Sequence, residues 1–244
     1  MTSSEVWSRE TAERYEDASA PMFEPEVVDP AVDLLAALVG DGQALELAIG
    51  TGRIALPLAA RGVPVSGIEL SAPMVEQLRR KPGGADIEIV VGDMATARVA
   101  GEFSLVFLVW NTLSNLRTQD EQVACFINAA RHLRPGGRFV VELWVPGLQR
   151  LPEGQTFTVG TGTSDHLVVD ELDLATQSCV SHHYRDRPDG GSDYSAGRFR
   201  YAWPAELDFM ARLAGMRLES RYADWTRAPF TSVSQSHVSV WQKP

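Results

Sequence analysis

Short apolar runs alternate with amphipathic stretches over the first 145 residues of the chain. Five runs have the length of a strand and are bounded by turn residues; they span 44–49, 63–70, 87–91, 103–109 and 138–144. Between them, apolar residues recur at intervals of three and four, which is typical of a helix with one buried face. Continuous apolar runs indicate strands that are covered on both faces. The pattern therefore predicts an α/β fold with a doubly wound, mostly parallel sheet.

Capping residues place the starts of the predicted helices. Asp29 followed by Pro30 predicts that a helix begins there, because Asp is a good N-cap and Pro fits the first helical position. Ser71 predicts the start of a second helix for the same reason. Thr118 and Glu121 form the pattern of a capping box before a third. The starts at Ser71 and Thr118 fall between apolar runs, and the start at Asp29 precedes the first run, as the alternation requires.

The pattern changes after residue 155, where helical spacing disappears. Two strand-like runs, His166–Leu174 and Ser178–Asp186, are joined by a short turn, and a third run follows at Arg198–Trp203. Consecutive runs with short connections predict antiparallel pairing. We therefore expect an antiparallel β-rich insertion at 155–203, on the side of the fold where the substrate binds.

The last part of the chain returns to the earlier alternation. A helical stretch at Pro204–Ala214 is followed by strand-like runs at Met216–Tyr222 and Val233–Trp241. With the five earlier strands, these two give a seven-stranded sheet. No repeat or linker divides the sequence, so we expect a single domain over 1–244. Residues 1–28 are polar but carry aromatic side chains, which favours a lid segment over a disordered tail.

Composition and charge narrow the class of protein. The chain has 244 residues and a net charge of −10, from 22 basic and 32 acidic residues. This balance argues against tight nucleic-acid binding, which depends on Lys and Arg at phosphates. Two cysteines, Cys125 and Cys179, cannot build a disulfide framework, so we expect a reduced, cytoplasmic protein. We expect neither a signal peptide nor a membrane span, since no apolar run has the roughly 18 residues that a span needs.

A glycine-rich turn follows the first predicted strand. Gly50 and Gly52 let the backbone approach a ligand without a Cβ in the way, and a helix begins directly after them. The run 50–55 matches the dinucleotide fingerprint G-x-G-x-x-G/A. Glu69 lies 17 residues after Gly52, close to the spacing of a ribose-binding acid. An NAD(P)-dependent oxidoreductase is therefore one hypothesis for the function.

Three further features favour a different ligand. Glu46 lies four residues before Gly50, where a carboxylate suits a ligand ammonium and where dinucleotide enzymes need none. Asp93 and Met94 end the third strand, and this pair suits adenine, because the acid accepts from the exocyclic amine and the thioether packs on the ring. The sheet also ends in antiparallel strands instead of a second parallel nucleotide-binding half.

At these motifs the chain resembles the class I S-adenosylmethionine (SAM)-dependent methyltransferases, and most of all bacterial enzymes that methylate small molecules such as amino sugars. The motifs that carry the resemblance are ELAIGTGR (46–53), GIEL (67–70), SAPM (71–74), GDM (92–94), VWNTLSNL (109–116) and HLRPGGRFVVE (132–142). The tail, at 200–216 and 222–243, resembles the same family. One departure is Ala48, where many members have glycine; the extra methyl group leaves slightly less room for the ligand.

The resemblance implies SAM as the cofactor and gives roles to the matching positions. Glu69 is implied at the two ribose hydroxyls, and Asp93 and Met94 at the adenine. Tyr15 and Arg53 are implied at the carboxylate of the cofactor. The other positions implied at the cofactor are Glu46, Ala48, Gly50, Thr51, Gly52, Leu70, Met74, Val109 and Trp110.

The predicted reaction transfers a methyl group to a nitrogen or oxygen atom of a small-molecule acceptor. The residues expected on the acceptor side are Trp110, Asn111, Trp144, Tyr184 and Tyr201. A hydroxyl acceptor needs a general base, for which His182, His183 and His237 are candidates, whereas a neutral amine needs none. His182 and His183 are neighbours on a strand and point to opposite faces, so they cannot grip one metal together. No Cys/His cluster has zinc spacing, and we expect no metal.

Two alternatives stay open at the level of sequence. An oxidoreductase would use the glycine turn for NAD(P), although no proton donor of the Tyr-x-x-x-Lys kind stands out. A non-methylating SAM-binding protein on the same fold would keep the cofactor motifs and transfer nothing. A homodimer is compatible with the sequence.

Overall fold

The computed structural model describes residues 7–148, 151–160, 163, 165–187 and 189–244. The α-helices are α1 (Arg9–Ala18), α2 (Pro25–Val39), α3 (Ala55–Ala60), α4 (Ala72–Arg79), α5 (Gln119–His132) and α6 (Pro204–Leu213). The strands are β1 (Ala44–Leu47), β2 (Val65–Glu69), β3 (Glu88–Val91), β4 (Phe103–Leu108), β5 (Leu133–Trp144), β6 (Phe157–Val159), β7 (His166–Asp173), β8 (Ser178–Asp186), β9 (Ser192–Arg200), β10 (Arg217–Tyr222) and β11 (Ser236–Gln242). Short 3₁₀ turns lie at Ala20–Phe23, Gly84–Asp86 and Thr112–Asn115.

Seven of the described strands form one sheet in the order β10-β11-β5-β4-β1-β2-β3. Neighbours from β5 to β3 run parallel, whereas β11 is antiparallel to β5 and β10 is antiparallel to β11. The prediction of a seven-stranded, mostly parallel sheet is confirmed. Parallel strands end at the same edge of a sheet, so the loops that follow β1, β2, β3 and β4 meet there.

Apolar layers cover both faces of this sheet. Along β5, Phe139 and Val141 pack into one layer and Val140 into the other, as the alternation of a strand requires. In the first layer, the ring of Phe126 in α5 lies edge-on to Trp241 of β11, with 5.3 Å between the ring centroids. Burial on both faces explains why the central strands read as continuous apolar runs.

The region 155–203 forms the predicted antiparallel insertion. Its strands make a separate sheet in the order β6-β7-β8-β9. The expected strand at Arg198–Trp203 is wrong in its bounds, because β9 runs from Ser192 to Arg200. Its polar front half forms a strand by pairing with β8, from Ser192 opposite Asp186 to Arg200 opposite Ser178. Such pairing is a tertiary effect that local propensity does not reveal.

Helix α2 starts earlier than its capping signal predicted. Glu24 is the N-cap and Pro25 occupies the first turn, which leaves Pro30 inside the helix at a cost of about 3 kcal/mol. Pro25 and Pro30 are both preceded by an acidic residue that can begin a helix, and the structure uses Pro25. The earlier start adds Val28 to the buried side, where Ala31 and Leu35 also lie, and this burial helps to offset the cost.

The lead segment folds against the body of the protein. Ser8 caps α1 and accepts a hydrogen bond from Thr11 N. Arg9 forms an ion pair with Glu76 of α4 at 2.6 Å, and Ser71 Oγ donates to the carbonyl of Trp7 at 2.7 Å. The first six residues of the predicted lid lie outside the described residues. Within the described part of the chain, no helix combines the length and apolarity that crossing a membrane requires.

Candidate active site

A cleft opens at the edge of the sheet where β1, β2 and β3 end. The side chains and backbone that line it are those of Trp7, Tyr15, Ala48, Gly50, Ile68, Glu69, Leu70, Met74, Gly92, Asp93, Met94, Thr112 and Asn115. Eight of the positions expected at the cofactor are among them: Tyr15, Ala48, Gly50, Glu69, Leu70, Met74, Asp93 and Met94. Residues far apart in the chain therefore meet in one cleft, at the place where this sheet topology binds ligands.

The glycine turn after β1 runs through left-handed backbone. Ala48, Gly50 and Gly52 have φ values of 54°, 57° and 83°. A Cβ on Gly50 would meet nothing within 4 Å, so glycine is required there by backbone conformation and not by crowding. For Ala48 the sequence predicted only that the extra methyl group reduces the room for the ligand, but the structure also shows a backbone conformation that is unfavourable for alanine. Its left-handed backbone costs about 1–3 kcal/mol in a residue other than glycine.

Glu69 ties the glycine turn to the start of α4. Its Oε2 accepts from Gly50 N and its Oε1 from Ser71 N, both at 2.8 Å. The side chain is buried, and burial raises the pKa of the carboxyl while the two backbone donors oppose that rise. A carboxylate has about four acceptor positions, so each oxygen keeps capacity for a ligand hydroxyl. This geometry fits a ribose with two adjacent hydroxyls.

The loop after β3 is held by buried polar contacts. Asp93 Oδ1 accepts from Ala95 N at 2.8 Å, and Gly92 N donates to the carbonyl of Glu69 at 2.8 Å. Asn128 of α5 donates from Nδ2 to the carbonyl of Met94 at 2.9 Å. These bonds fix Asp93 and Met94 on one wall of the cleft, a carboxylate beside a polarizable thioether.

Glu46 is a buried carboxylate that lies near the charged side chains of Arg53 and Glu69. It is 3% exposed, and its Oε2 has no hydrogen-bond partner among the described residues. Burial raises its pKa to about 8, against the opposing effects of the Arg53 guanidinium and the N–H of Ala55. Buried polar atoms are nearly always paired in native proteins. An unpaired buried oxygen therefore fits a ligand group that carries a donor, such as an ammonium.

Arg53, Trp110 and Tyr15 form a cluster beside Glu46. The guanidinium of Arg53 lies 5.0 Å from the ring centroid of Trp110, and the rings of Tyr15 and Trp110 are 5.9 Å apart. Arg53 also donates to the carbonyl of Met22 at 3.3 Å, which connects the cluster to the lead segment. Burial raises the pKa of the Tyr15 phenol to about 12, so it stays protonated.

Two of the positions implied at the cofactor, Val109 and Thr51, are buried without lining the cleft. Val109 is 7% exposed and packs in the core layer that also contains Ile49. The side chain of Thr51 is 2% exposed, and its Oγ1 has no partner among the described residues. The carbonyl of Thr51 accepts from Lys81 Nζ at 2.7 Å. Neither Val109 nor Thr51 lines the cleft, so any effect on the cofactor is exerted through neighbouring residues.

The turn after β4 is strained. Trp110 and Asn111 have φ values of 52° and 59°, which cost about 1–3 kcal/mol each in residues other than glycine. Trp110 N donates to Glu142 Oε2 at 2.7 Å, and Asn111 Oδ1 accepts from Trp144 N at 2.7 Å. Glu142 Oε1 accepts from Trp225 Nε1 at 2.8 Å. Neither Glu142 nor Trp225 was predicted at the site, because no local pattern marks a contact across 83 residues.

The three candidate bases lie in different surroundings. His183 contacts His166 at 3.0 Å and Ser181 Oγ at 3.2 Å, and burial lowers its pKa. His182 is on the opposite face of the same strand, with Nδ1 2.8 Å from the hydroxyl of Tyr194. His237 is fully buried, and burial lowers its pKa to about 3. The structure does not bring any of the three to the lining of the cleft.

The structure places the residues predicted on the acceptor side in different parts of the molecule. Trp144 lines a second cavity with Val145–Gly147 and Ser232–Gln235, and its contact to Asn111 connects that cavity to the Trp110 turn. Tyr201 is 1% exposed and packs with Leu172 and Cys179 of the insertion. It therefore supports the insertion, and it lines neither the cleft nor the second cavity. The opposite face of the insertion carries Tyr184, which is exposed and packs on Tyr194.

Several lining residues were not predicted. Thr112 and Asn115 follow the Trp110 turn and lie within the 109–116 motif, so the motif itself was the available signal. Trp7 lines the cleft from the lead segment, with its ring 5.2 Å from that of Tyr15. Among the described residues, no group of three or more His, Cys, Asp or Glu side chains is arranged to hold a metal ion.

Comparison with known proteins agrees with this geometry. A family model described as a methyltransferase domain matches residues 44–137. The cypemycin N-terminal methyltransferase of a Streptomyces species is 28% identical over 204 residues, which cover 82% of each chain. The solved structure of the CcbJ methyltransferase from Streptomyces caelestis is 39% identical, covers 88% of each chain and superposes with a TM-score of 0.79.

A further solved structure bears on the fold. SAM-bound CalS10 from Micromonospora echinaspora, an amino pentose methyltransferase of calicheamicin biosynthesis, is 21% identical, covers 94% of this chain and 96% of its own, and has a TM-score of 0.70. The family match and the identity to CcbJ agree with the fold and with the cleft. The chain therefore belongs to the SAM-dependent methyltransferases. The oxidoreductase hypothesis has no support among these relatives.

Proposed function

We propose that this enzyme transfers a methyl group from SAM to an amine nitrogen of a small molecule, namely a natural product or an amino sugar. The observation that carries the proposal is the meeting of Gly50, Glu69, Asp93 and Met94 in one cleft. The nitrogen acceptor is supported by the relatives, because one is described as an N-terminal methyltransferase and another as an amino pentose methyltransferase.

Each wall of the cleft suits one part of the cofactor. We assign the ribose hydroxyls to Glu69, whose oxygens are fixed by Gly50 N and Ser71 N. Asp93 and Met94 suit the adenine, through the carboxylate and the thioether respectively. Leu70 and Met74 complete the apolar side of this pocket.

The group of Glu46, Arg53 and Tyr15, of which Tyr15 lines the cleft, suits the amino-acid part of the cofactor. Glu46 offers an unpaired buried oxygen to an ammonium, and Arg53 with Tyr15 offers donors to a carboxylate. The left-handed turn at Gly50 and Gly52 leaves room for the ligand to approach the backbone. When bound, the sulfonium supplies an electrophilic methyl group.

The chain's own contribution to the reaction is alignment and exclusion of water. Holding two reactants in the productive geometry is worth about 7–11 kcal/mol relative to free encounter. A neutral amine carries its own lone pair and needs no general base. This agrees with the cleft, because no histidine is found among the described residues that line it. His182, His183 and His237 therefore have no proton-transfer role in the proposed reaction.

We propose that the lead segment acts as a lid and that the insertion lies on the acceptor side of one domain. Trp7 and Tyr15 lining the cleft, and the ion pair of Arg9 with Glu76, support the lid. Trp144, at the root of the insertion, supports an acceptor site in the second cavity. Closing such a site excludes water from the reacting groups.

The partners we propose are a small-molecule acceptor and a second copy of the chain. A net charge of −10 supports a small acceptor over a nucleic acid. Exposed Phe157, Val159 and Tyr194 on the insertion support a homodimer, which sedimentation analysis tests directly. Free, buried Cys125 and Cys179 support a reducing, cytoplasmic setting.

Calorimetric titration with S-adenosylhomocysteine (SAH), the product of the proposed reaction, tests the cofactor. We expect saturable binding by SAH and none by NAD(H) under the same conditions. Incubation with methyl-labelled SAM and a panel of amino sugars then tests transfer. Binding of SAH without label transfer to any amine in that panel would favour the non-methylating alternative.

A further inference from the structure

The carboxylate of Glu142 joins the backbone N–H of Trp110 to the indole N–H of Trp225, which belong to different parts of the chain. Glu142 lies near the end of β5. Its Oε2 accepts from Trp110 N at 2.7 Å and its Oε1 from Trp225 Nε1 at 2.8 Å. Both oxygens are therefore engaged by N–H donors. Hydrogen bonds to a charged acceptor are roughly twice as strong as neutral ones.

The first of these donors belongs to the strained turn. Trp110 and Asn111 both have left-handed backbone, which persists only where the surroundings over-determine it. Glu142 supplies two of the restraints, since its carboxylate holds Trp110 N and its carbonyl accepts from Asn111 N at 3.3 Å. A further restraint is the bond from Trp144 N to Asn111 Oδ1. The conformation of the turn therefore depends on Glu142.

The Trp110 turn also fixes one end of the cofactor cleft. The indole of Trp110 lies under the guanidinium of Arg53 and against the ring of Tyr15, and Tyr15 lines the cleft. A shift of the Trp110 backbone would move both neighbours. Glu142 itself does not line the cleft, so its influence there is exerted through Trp110.

The second donor belongs to the loop that joins β10 to β11. Trp225 lies at the front of this loop, and Ser232–Gln235 at its end line the second cavity together with Trp144. The bond from Trp225 Nε1 to Glu142 anchors the front of the loop. The bond from Val145 N to the carbonyl of Gln235 anchors its end.

We propose that Glu142 is a positioning residue that holds the Trp110 turn and the Trp225 loop in one geometry and so aligns the cofactor cleft with the second cavity. The inference rests on the proposed function, because it assigns the cleft to the methyl donor and the second cavity to the acceptor. Alignment of this kind is the main source of rate in a reaction whose electrophile is already activated.

A set of three variants tests the proposal. In Glu142→Gln one carboxylate oxygen becomes an amide NH₂, which faces an N–H donor from either Trp110 or Trp225. We expect SAH affinity to fall about tenfold. Trp225→Phe removes one donor and leaves the carboxylate on Trp110, so we expect less than a threefold change. In the double variant the glutamine oxygen meets Trp110 N without a competing donor, and affinity should return to within about threefold of wild type.

Glu219→Gln is the matched control, because Glu219 pairs with Arg138 at the other end of β5. It should bind SAH as the wild type does. Near-ultraviolet circular dichroism of the tryptophans gives a second readout. Glu142→Gln should weaken the signal relative to the wild type, and the double variant should show the signal of Trp225→Phe. Additive losses in the double variant, or wild-type affinity in Glu142→Gln, would overturn the proposal. If the wild type itself fails to bind SAH, the proposed function fails, and the circular dichroism of the same variants still decides the role of Glu142.

Discussion

The carboxylate of Glu69 accepts a hydrogen bond from the backbone N–H of Gly50 at 2.8 Å, and this contact joins the ends of β1 and β2 at the cleft. The other oxygen holds Ser71 N at the start of α4. One side chain thus fixes both the glycine turn and the helix that follows the second strand. The same carboxylate is the group that we assign to the ribose of the cofactor.

Replacement of Glu69 by alanine should weaken SAH binding about 100-fold. Hydrogen bonds to a charged acceptor are worth about 1.5–3 kcal/mol each, and this variant loses those to the ligand and those that shape the turn. Calorimetry provides the affinity, and the thermal midpoint reports the structural part. Glu88→Ala, on the exposed side of the neighbouring β3, is the control and should bind normally. Equal affinities for the two variants would exclude the ribose assignment.

Binding of SAH at pH 7 should release protons from Glu46. Burial holds the pKa of this carboxyl at about 8, so the free enzyme carries it mainly in the protonated form. A ligand ammonium favours the ionised form and lowers that pKa. Titrations in two buffers with different ionisation enthalpies measure the number of protons released. The release should vanish in Glu46→Gln, and a wild-type value of zero would contradict the assignment of the ammonium to Glu46.

The parallel sheet and two of its helix caps could be predicted because their signals are local. The capping box at Thr118 and Glu121 and the cap at Ser71 are both present. The glycine turn also carries its signal in the residues themselves. The polar half of β9 and the contact of Glu142 with Trp225 carry no such signal, because each depends on a partner distant in sequence.

The lead segment should become more ordered when SAH binds. Tyr15 and Trp7 line the cleft, so a ligand there contacts α1 and stabilises its closed position. At a SAH concentration of about 10 Kd, hydrogen exchange of amides in α1 should slow by about tenfold. Amides of α6, on the far side of the fold, provide the internal reference. Tyr15→Ala should lose the protection, and equal slowing in both helices would contradict a lid.

His237 should affect stability at acidic pH and leave cofactor binding unchanged. Its folded pKa of about 3 lies below the unfolded value near 6.5, so the unfolded chain takes up a proton first. The stability contributed is therefore present above pH 6.5 and is lost as the pH falls towards 3. Between pH 7 and pH 5 the wild type should lose about 2 kcal/mol more than His237→Gln.

Chemical denaturation at the two pH values measures this difference. His182→Gln is the control, since His182 lies on the insertion and keeps part of its surface in solvent. It should show the acid loss of the wild type. A His237→Gln variant that keeps the full acid loss would show that another buried group is responsible. A large fall in its SAH affinity would instead place His237 in the functional machinery.

We propose that the enzyme methylates an amine with SAM as donor. The most direct test of this proposal is transfer of label from methyl-labelled SAM to matched pairs of nucleotide-linked sugars, one with an amino group and one with a hydroxyl at the same carbon. We expect label to appear on the amino sugar, in step with formation of SAH, and not on the hydroxyl analogue. Label on the hydroxyl partner alone, or SAH binding with no transfer to either, would contradict the proposal.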